Sequence, residues 1–262
     1  MVRFFSALAL AVPLILSVWY GPPIVFLAIA VIVALLASWE FQGLMAGCGW
    51  ESVRWEGALD AGILVLAFWA GGLTPSLALT LIFLRIFVRA MSAEDQKSGL
   101  AGAGASLLGL IWIGGACALA VRLRMLEGGK EAVLFLFAVV WANDIAAYYA
   151  GGAFGSRKLA SSISPGKTIE GSVGGLIAGI LAGLAVAAWF SFLDKGVALV
   201  AALAMGVLSQ IGDLCESFVK RAAGRKDSGA GIPGHGGFLD RIDGLLLAAP
   251  PFYCFLRWFT DQ

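Results

Sequence analysis

SFVKRAAGRKDSGAGIPGHGGFLDRID, residues 217–243, is a short hydrophilic segment set between two long apolar runs. Charge at that density beside so much apolar sequence needs compensation, and metal ions and phosphates supply it most readily. The segment is therefore the expected active site. The runs on either side are expected to be helices in a bilayer.

The rest of the composition fixes the class. Of 262 residues, 60% are hydrophobic and only 13% charged, with a mean hydropathy of +0.90. So few charges could not cover the apolar surface of a soluble protein of this length. The chain is read as an all-α, polytopic integral membrane protein. Its 35 glycines are about twice the usual share, and small residues let membrane helices approach closely. Apolar runs near residues 4–20, 24–39, 57–71, 74–90, 100–121, 131–153, 172–191, 196–219 and 238–258 predict about nine transmembrane helices, several near the ~20 residues that a bilayer requires. Gly71-Gly72-Leu73-Thr74-Pro75 reads as a boundary between two short helices. The first run leads through WYGPPIVF straight into the second without a small-residue cleavage pattern, so it reads as a retained helix. One membrane domain, 1–262, is expected, with residues 1–130 mostly scaffold and 131–262 carrying the catalytic helices and loops. Cys48, Cys117, Cys215 and Cys254 form no CxxC pair and read as small hydrophobes.

With nine spans, alternate loops fall on opposite sides of the membrane. The side holding the N-terminus and the loops at 40–57, 89–99, 154–171 and 220–243 collects 13 of the 18 basic residues. The positive-inside rule makes that face cytoplasmic. The net charge of +1 carries no further information about partners.

Asp213, Glu216, Ser217 and Lys220 stand at i, i+3, i+4 and i+7, so a helix stacks them on one face. A carboxylate at the membrane centre costs about 2.5–3.5 kcal/mol, and two on one stripe need partners. An internal salt bridge to Lys220 is the plain solution. Asp240 and Asp243 form a second i, i+3 pair returning to the same membrane face. Carboxylates converging there would repel one another, and a divalent ion is the natural counter-charge. Oxygen-only ligands suit Mg2+, with Mn2+ as a substitute, rather than zinc. In the connecting loop Lys220, Arg221, Arg225 and Lys226 offer cations, and Gly229, Gly231, Gly234, Gly236 and Gly237 let the backbone come close to a phosphate. His235, the chain's one histidine, either serves the turn or binds phosphate and shuttles a proton.

Ser217, Lys220, Arg221, Lys226, Asp227, Pro233, Gly234, His235, Gly236, Gly237, Asp240, Arg241 and Asp243 together resemble the signature of the phosphatidate cytidylyltransferases, or CDP-diacylglycerol synthases. A second block, residues 143–171, is similar to that family's other polar segment through Asp144, Tyr148, Phe154-Gly155, Ser164-Pro165, Lys167-Thr168 and Glu170-Gly171. It departs from the pattern at Ser161-Ser162, where Ala-Pro is expected, and at Gly166, where a second lysine is frequent. The N-terminal half is only faintly similar, at Arg3, Pro13 and Glu40. A polar helix-packing node followed by a turn is the plain reading of this second block.

The resemblance implies that phosphatidate and CTP give CDP-diacylglycerol and pyrophosphate, by in-line attack of a lipid phosphate oxygen on the α-phosphorus. Both reactants are anions, so the chemistry needs cations more than a strong base. It implies that Asp213, Asp240 and Asp243 hold Mg2+, with Ser217 as a neutral ligand and Glu216 behind them. Lys167, Lys220, Arg221 and Lys226 would hold phosphates. Ser164, Thr168, His235, Gly236, Gly237, Arg241 and Asp144 would complete the substrate site. CTP, phosphatidate and the bilayer are the expected partners, nucleic acid is not, and a homodimer is one allowed assembly. The expected location is a bacterial inner membrane, with the site facing the cytoplasm. A CTP-dependent lipid kinase and an ion-coupled transporter are the alternative functions.

Overall fold

Apolar residues dictate long helices here, because a backbone in lipid must satisfy its own hydrogen bonds. The computed structural model describes residues 2–50, 53–229, 231 and 236–260; His235 lies outside them. Its helices are α1 (Val2–Tyr20), α2 (Pro23–Gly47), α3 (Arg54–Ala70), α4 (Thr74–Met91), α5 (Gln96–Gly109), α6 (Ala116–Arg124), α7 (Gly129–Phe154), α8 (Ile169–Phe190), α9 (Lys195–Ala222) and α10 (Asp243–Thr260). A π-helical turn, Leu110–Gly115, joins α5 to α6 into one rod. Each apolar run read from the sequence falls on such a rod. Among the described residues six rods are long and apolar enough to cross a membrane: α2, α4, α5–α6, α7, α8 and α9.

Local chemistry sets the boundaries. Pro23 opens α2 at a position where its missing N–H is not needed. Asp95 caps α5, accepting from Ser98 N–H at 2.9 Å. Gly71 and Gly72, with φ of 74° and 59°, separate α3 from α4. The segment between α7 and α8, expected to be loop, contains an antiparallel hairpin of β1 (Lys158–Ala160) and β2 (Ser164–Thr168), pairing Lys158 with Thr168 and Ala160 with Ser164. Strand pairing satisfies backbone groups that the helices leave over. Glu170 pins the hairpin's base by accepting from Ser156 Oγ at 2.7 Å and Arg157 N–H at 3.2 Å.

The chain divides into two compact units, Met1–Arg122 with Val219–Ile242, and Leu123–Phe218 with Asp243–Gln262. In the first, Ser38 Oγ donates to the Gly57 carbonyl at 2.8 Å, tying α2 to α3. Phe41 meets Trp112 edge-on at 5.9 Å. Glu56 and Asp60 of α3 both bind the Arg85 guanidinium of α4, and Arg89 lies 3.3 Å from Glu56.

The second unit is built on a close helix pair. Gly171, Gly175, Gly179 and Gly183 recur every fourth residue along the buried side of α8, and α7 lies so near that a Cβ at Gly175 would be 2.7 Å from the Asn143 carbonyl oxygen. At Gly179 it would lie 3.0 Å from the Val139 carbonyl. Gln210 of α9 ties the pair together, donating to Asn143 Oδ1 at 2.8 Å and to the Ser172 carbonyl at 2.9 Å. Phe135 stacks on Phe252 at 5.4 Å, which fastens α10 to α7.

A side chain in the α7/α8 seam must push two backbones apart. Gly175→Val is expected to destabilise the detergent-extracted protein by about 1–3 kcal/mol, read as a lower unfolding temperature. Gly104→Ala, where nothing lies within 4 Å of the added carbon, is expected to be neutral or slightly stabilising.

Candidate active site

Asp213, Glu216 and Ser217 lie in the C-terminal half of α9, and Asp243 opens α10. These two segments meet through glycine. A Cβ at Gly212 would come within 2.5 Å of the Asp243 carbonyl oxygen, and one at Gly244 within 2.6 Å of Ser209 Oγ. This approach brings carboxylate oxygens of Asp213, Glu216 and Asp243 within 4.8 Å of one another. Glu216 is almost fully buried, at 1% exposure. Lys167 of β2 reaches in to place Nζ 2.6 Å from Asp213 Oδ2, and Ser217 Oγ lies 3.5 Å from Asp213 Oδ1. Asp144 is exposed on α7, within electrostatic reach of Asp213 and Lys167 and 3.4 Å from Asn143 Nδ2.

Lys167 is one cation set against a cluster of carboxylates. Three so close repel one another unless a proton or a further cation shares the space. The donor set is oxygen only, which suits a hard divalent cation and not a thiol- or imidazole-seeking one. Thr168 stands beside Lys167 but serves the fold: its Oγ1 caps α8 by accepting from Gly171 N–H at 3.1 Å. Ser164 sits half-buried where β2 begins.

In the first unit, Lys220 places Nζ 2.5 Å from Asp240 Oδ1. Asp240 Oδ2 accepts from Ser228 N–H at 3.0 Å and Gly237 N–H at 2.8 Å, and lies 2.9 Å from Ser228 Oγ. Gly236 takes a φ of +78°, which turns the chain over this carboxylate. Arg221 Nη1 donates to the Arg225 carbonyl at 3.2 Å. Arg221, Arg225, Lys226 and Arg241 are exposed.

Two of the roles that the resemblance implies sit differently in the structure. Glu216, expected behind the metal ligands, is a full member of the carboxylate cluster. Asp240, expected as a ligand, has its oxygens committed to Lys220, Ser228 and Gly237. An i, i+3 spacing predicts one helix through both aspartates. Asp240 instead lies in a 3-10 turn, Leu239–Arg241, which ends at Ile242 before α10 begins at Asp243. Lys220 also pairs with Asp240, across 20 residues of sequence. Spacing also gave Glu40 no role, though it accepts from Ser228 Oγ at 2.9 Å and Leu239 N–H at 3.0 Å. A lone carboxylate at the end of an apolar run was the available signal.

Helices long and apolar enough to cross a membrane, an acidic cluster fit for a cation and a glycine-rich basic loop are features that an integral membrane enzyme acting on phosphorylated substrates needs. Residues 1–259 match the cytidylyltransferase family, and the chain belongs to it. It is a nucleotidyltransferase. It is 37% identical over 266 residues to a phosphatidate cytidylyltransferase of Brucella suis, covering 99% of this chain and 94% of that one. A phosphatidate cytidylyltransferase of Haemophilus influenzae is 46% identical over 143 residues, 50% of this chain and 47% of the relative. One from Staphylococcus saprophyticus is 43% identical over 126 residues, 47% of each chain.

Lys220 and Asp240 are largely buried, with side chains 12% and 9% exposed. Lys220→Met takes the ion-pair partner from a largely buried carboxylate and is expected to be destabilising, by up to about 3–5 kcal/mol. Asp240→Asn in the same chain should recover part of that loss, as a double-mutant cycle on unfolding would show.

Proposed function

We propose that this chain transfers a cytidylyl group from CTP to phosphatidate, giving CDP-diacylglycerol and pyrophosphate in phospholipid synthesis. The observation that carries this reading is the close trio of Asp213, Glu216 and Asp243, in a chain matched over residues 1–259 to the cytidylyltransferases.

Both substrates are anions, and the main obstacle to their meeting is repulsion. Asp213, Glu216 and Asp243 would hold Mg2+, or Mn2+ in its place, with Ser217 able to add a neutral oxygen. Bound there, the ion would neutralise phosphate charge and polarise the phosphoryl group under attack. Lys167, already drawn to Asp213 at 2.6 Å, exchanges that carboxylate for a phosphate oxygen when substrate arrives. Lys220 does the same from Asp240, while exposed Arg221, Lys226 and Arg241 attract the nucleotide's phosphates. Ser164 and the Gly236 and Gly237 backbone offer neutral donors. Asp144 faces Lys167 and helps hold its orientation. A phosphate oxygen of phosphatidate is ionised at neutral pH, so no residue of the chain needs to act as a strong base.

The lipid keeps its tails in the bilayer while its head group reaches the site, as a membrane-embedded chain allows. We place the site on the cytoplasmic face of a bacterial inner membrane. The 13 of 18 basic residues that nine alternating spans would gather on one side and the bacterial origin of the relatives support this.

Purified protein incubated with phosphatidate, Mg2+ and [α-32P]CTP should move label into the chloroform phase, and EDTA should abolish the transfer. Asp243→Asn should lower turnover by about a hundredfold or more. Lys220→Ala should raise the KM for CTP. Label reaching lipid only from [γ-32P]CTP would mark a kinase instead, and near wild-type turnover of Asp243→Asn would remove the aspartate from the site.

A further inference from the structure

Glu40, on the last third of α2, is the carboxylate around which the glycine-rich loop folds. Its Oε2 accepts from Ser228 Oγ at 2.9 Å and from Leu239 N–H at 3.0 Å, contacts that reach across 188 and 199 residues of sequence. Gly229 and Gly237 lie against this side chain without room to spare. A Cβ at Gly229 would lie 2.5 Å from Glu40 Oε1, and one at Gly237 would lie 2.2 Å from Oε2. These two glycines are thus needed to admit a carboxylate of the protein itself, whatever they also do for a substrate. Ser228 Oγ is 2.9 Å from Asp240 Oδ2 as well, and Asp240 Oδ1 holds Lys220 at 2.5 Å. A continuous series of polar contacts therefore runs from Glu40 through Ser228 and Asp240 to Lys220. All four residues belong to the same compact unit.

We propose that Glu40 is a positioning residue for cytidylyl transfer: it fixes the glycine-rich loop, and through Ser228 and Asp240 it sets the place of the Lys220 ammonium. This rests on the role given above to Lys220 as a phosphate ligand. Glu40 works at one remove from the phosphates. A carboxylate at the end of an apolar span is costly to keep, and ordering the loop is what it supplies in return.

The test uses the full chain in detergent, with Glu40→Ala and Glu40→Gln. Two quantities are read: kcat and KM in the [α-32P]CTP assay, and the rate of tryptic cleavage after exposed Arg225 and Lys226, with exposed Lys97 as internal reference. Glu40→Ala is expected to raise the KM for CTP about tenfold or more with a smaller change in kcat. It should speed cleavage at Arg225 and Lys226 and leave cleavage at Lys97 unchanged. Glu40→Gln keeps an oxygen in the place of Oε2, able to accept from both Leu239 N–H and Ser228 Oγ, so it should stay within about threefold of wild type in both readouts. A wild-type KM and cleavage rate in Glu40→Ala would overturn the proposal, and so would a glutamine variant as impaired as the alanine one. Should the wild-type chain transfer no label, the reading of Lys220 falls separately. Glu40's hold on the loop is then supported by faster cleavage in Glu40→Ala that Glu40→Gln restores, and overturned if cleavage is unchanged.

Discussion

Charge placed in an apolar chain has to be answered from within the protein, and that constraint organises this molecule. Glu56 and Asp60 are answered by Arg85, Asp240 by Lys220 and two backbone N–H donors, and Asp213 by Lys167. Each arrangement joins residues far apart in sequence, so each also fixes how helices or loops are assembled. Among the described residues the carboxylate cluster gathers the most acidic groups in one place: Asp213, Glu216 and Asp243 crowd together, with Lys167 against Asp213. Surplus negative charge of that kind is unfavourable in isolation and becomes favourable when a cation is present.

Such a cluster is useful only if its geometry is held. Helices in lipid gain little from burying apolar surface against one another, so packing and polar contacts must do the holding. The glycine seam brings the α7 and α8 backbones together, and Gln210 links both helices to α9, which carries Asp213 and Glu216. The carboxylates are therefore mounted on regular helices cross-braced by amides. Mounting of this kind preserves ligand distances better than a flexible loop would.

Hydropathy made the helices legible, since nearly every long apolar run is a rod. The chemistry of residues 217–243 was equally legible, because charges and glycines crowded together in so apolar a chain are costly unless they serve an ionic ligand. Partnership was harder to read. Asp240 and Asp243 share a helical spacing, but a 3-10 turn interrupts the helix between them and sends their carboxylates to different partners. The hairpin was hidden because a proline, a glycine and serines around residues 161–166 look like open loop. Glu40 stood alone in its run, and only folding shows what lies against it. The fourfold spacing of Gly171, Gly175, Gly179 and Gly183 was present in the letters, yet its meaning depends on which helix faces it.

That spacing also governs how α8 is able to diverge among descendants of this chain. Glycine is the smallest residue, so no replacement along the seam brings α7 nearer, and every replacement widens the gap. On the opposite side Val173, Ile177 and Leu181 are 50%, 55% and 61% exposed, and any apolar side chain serves there. One edge of the helix is thus frozen at the limit of its size range, while the other drifts freely to match the thickness and composition of whichever lipid surrounds it.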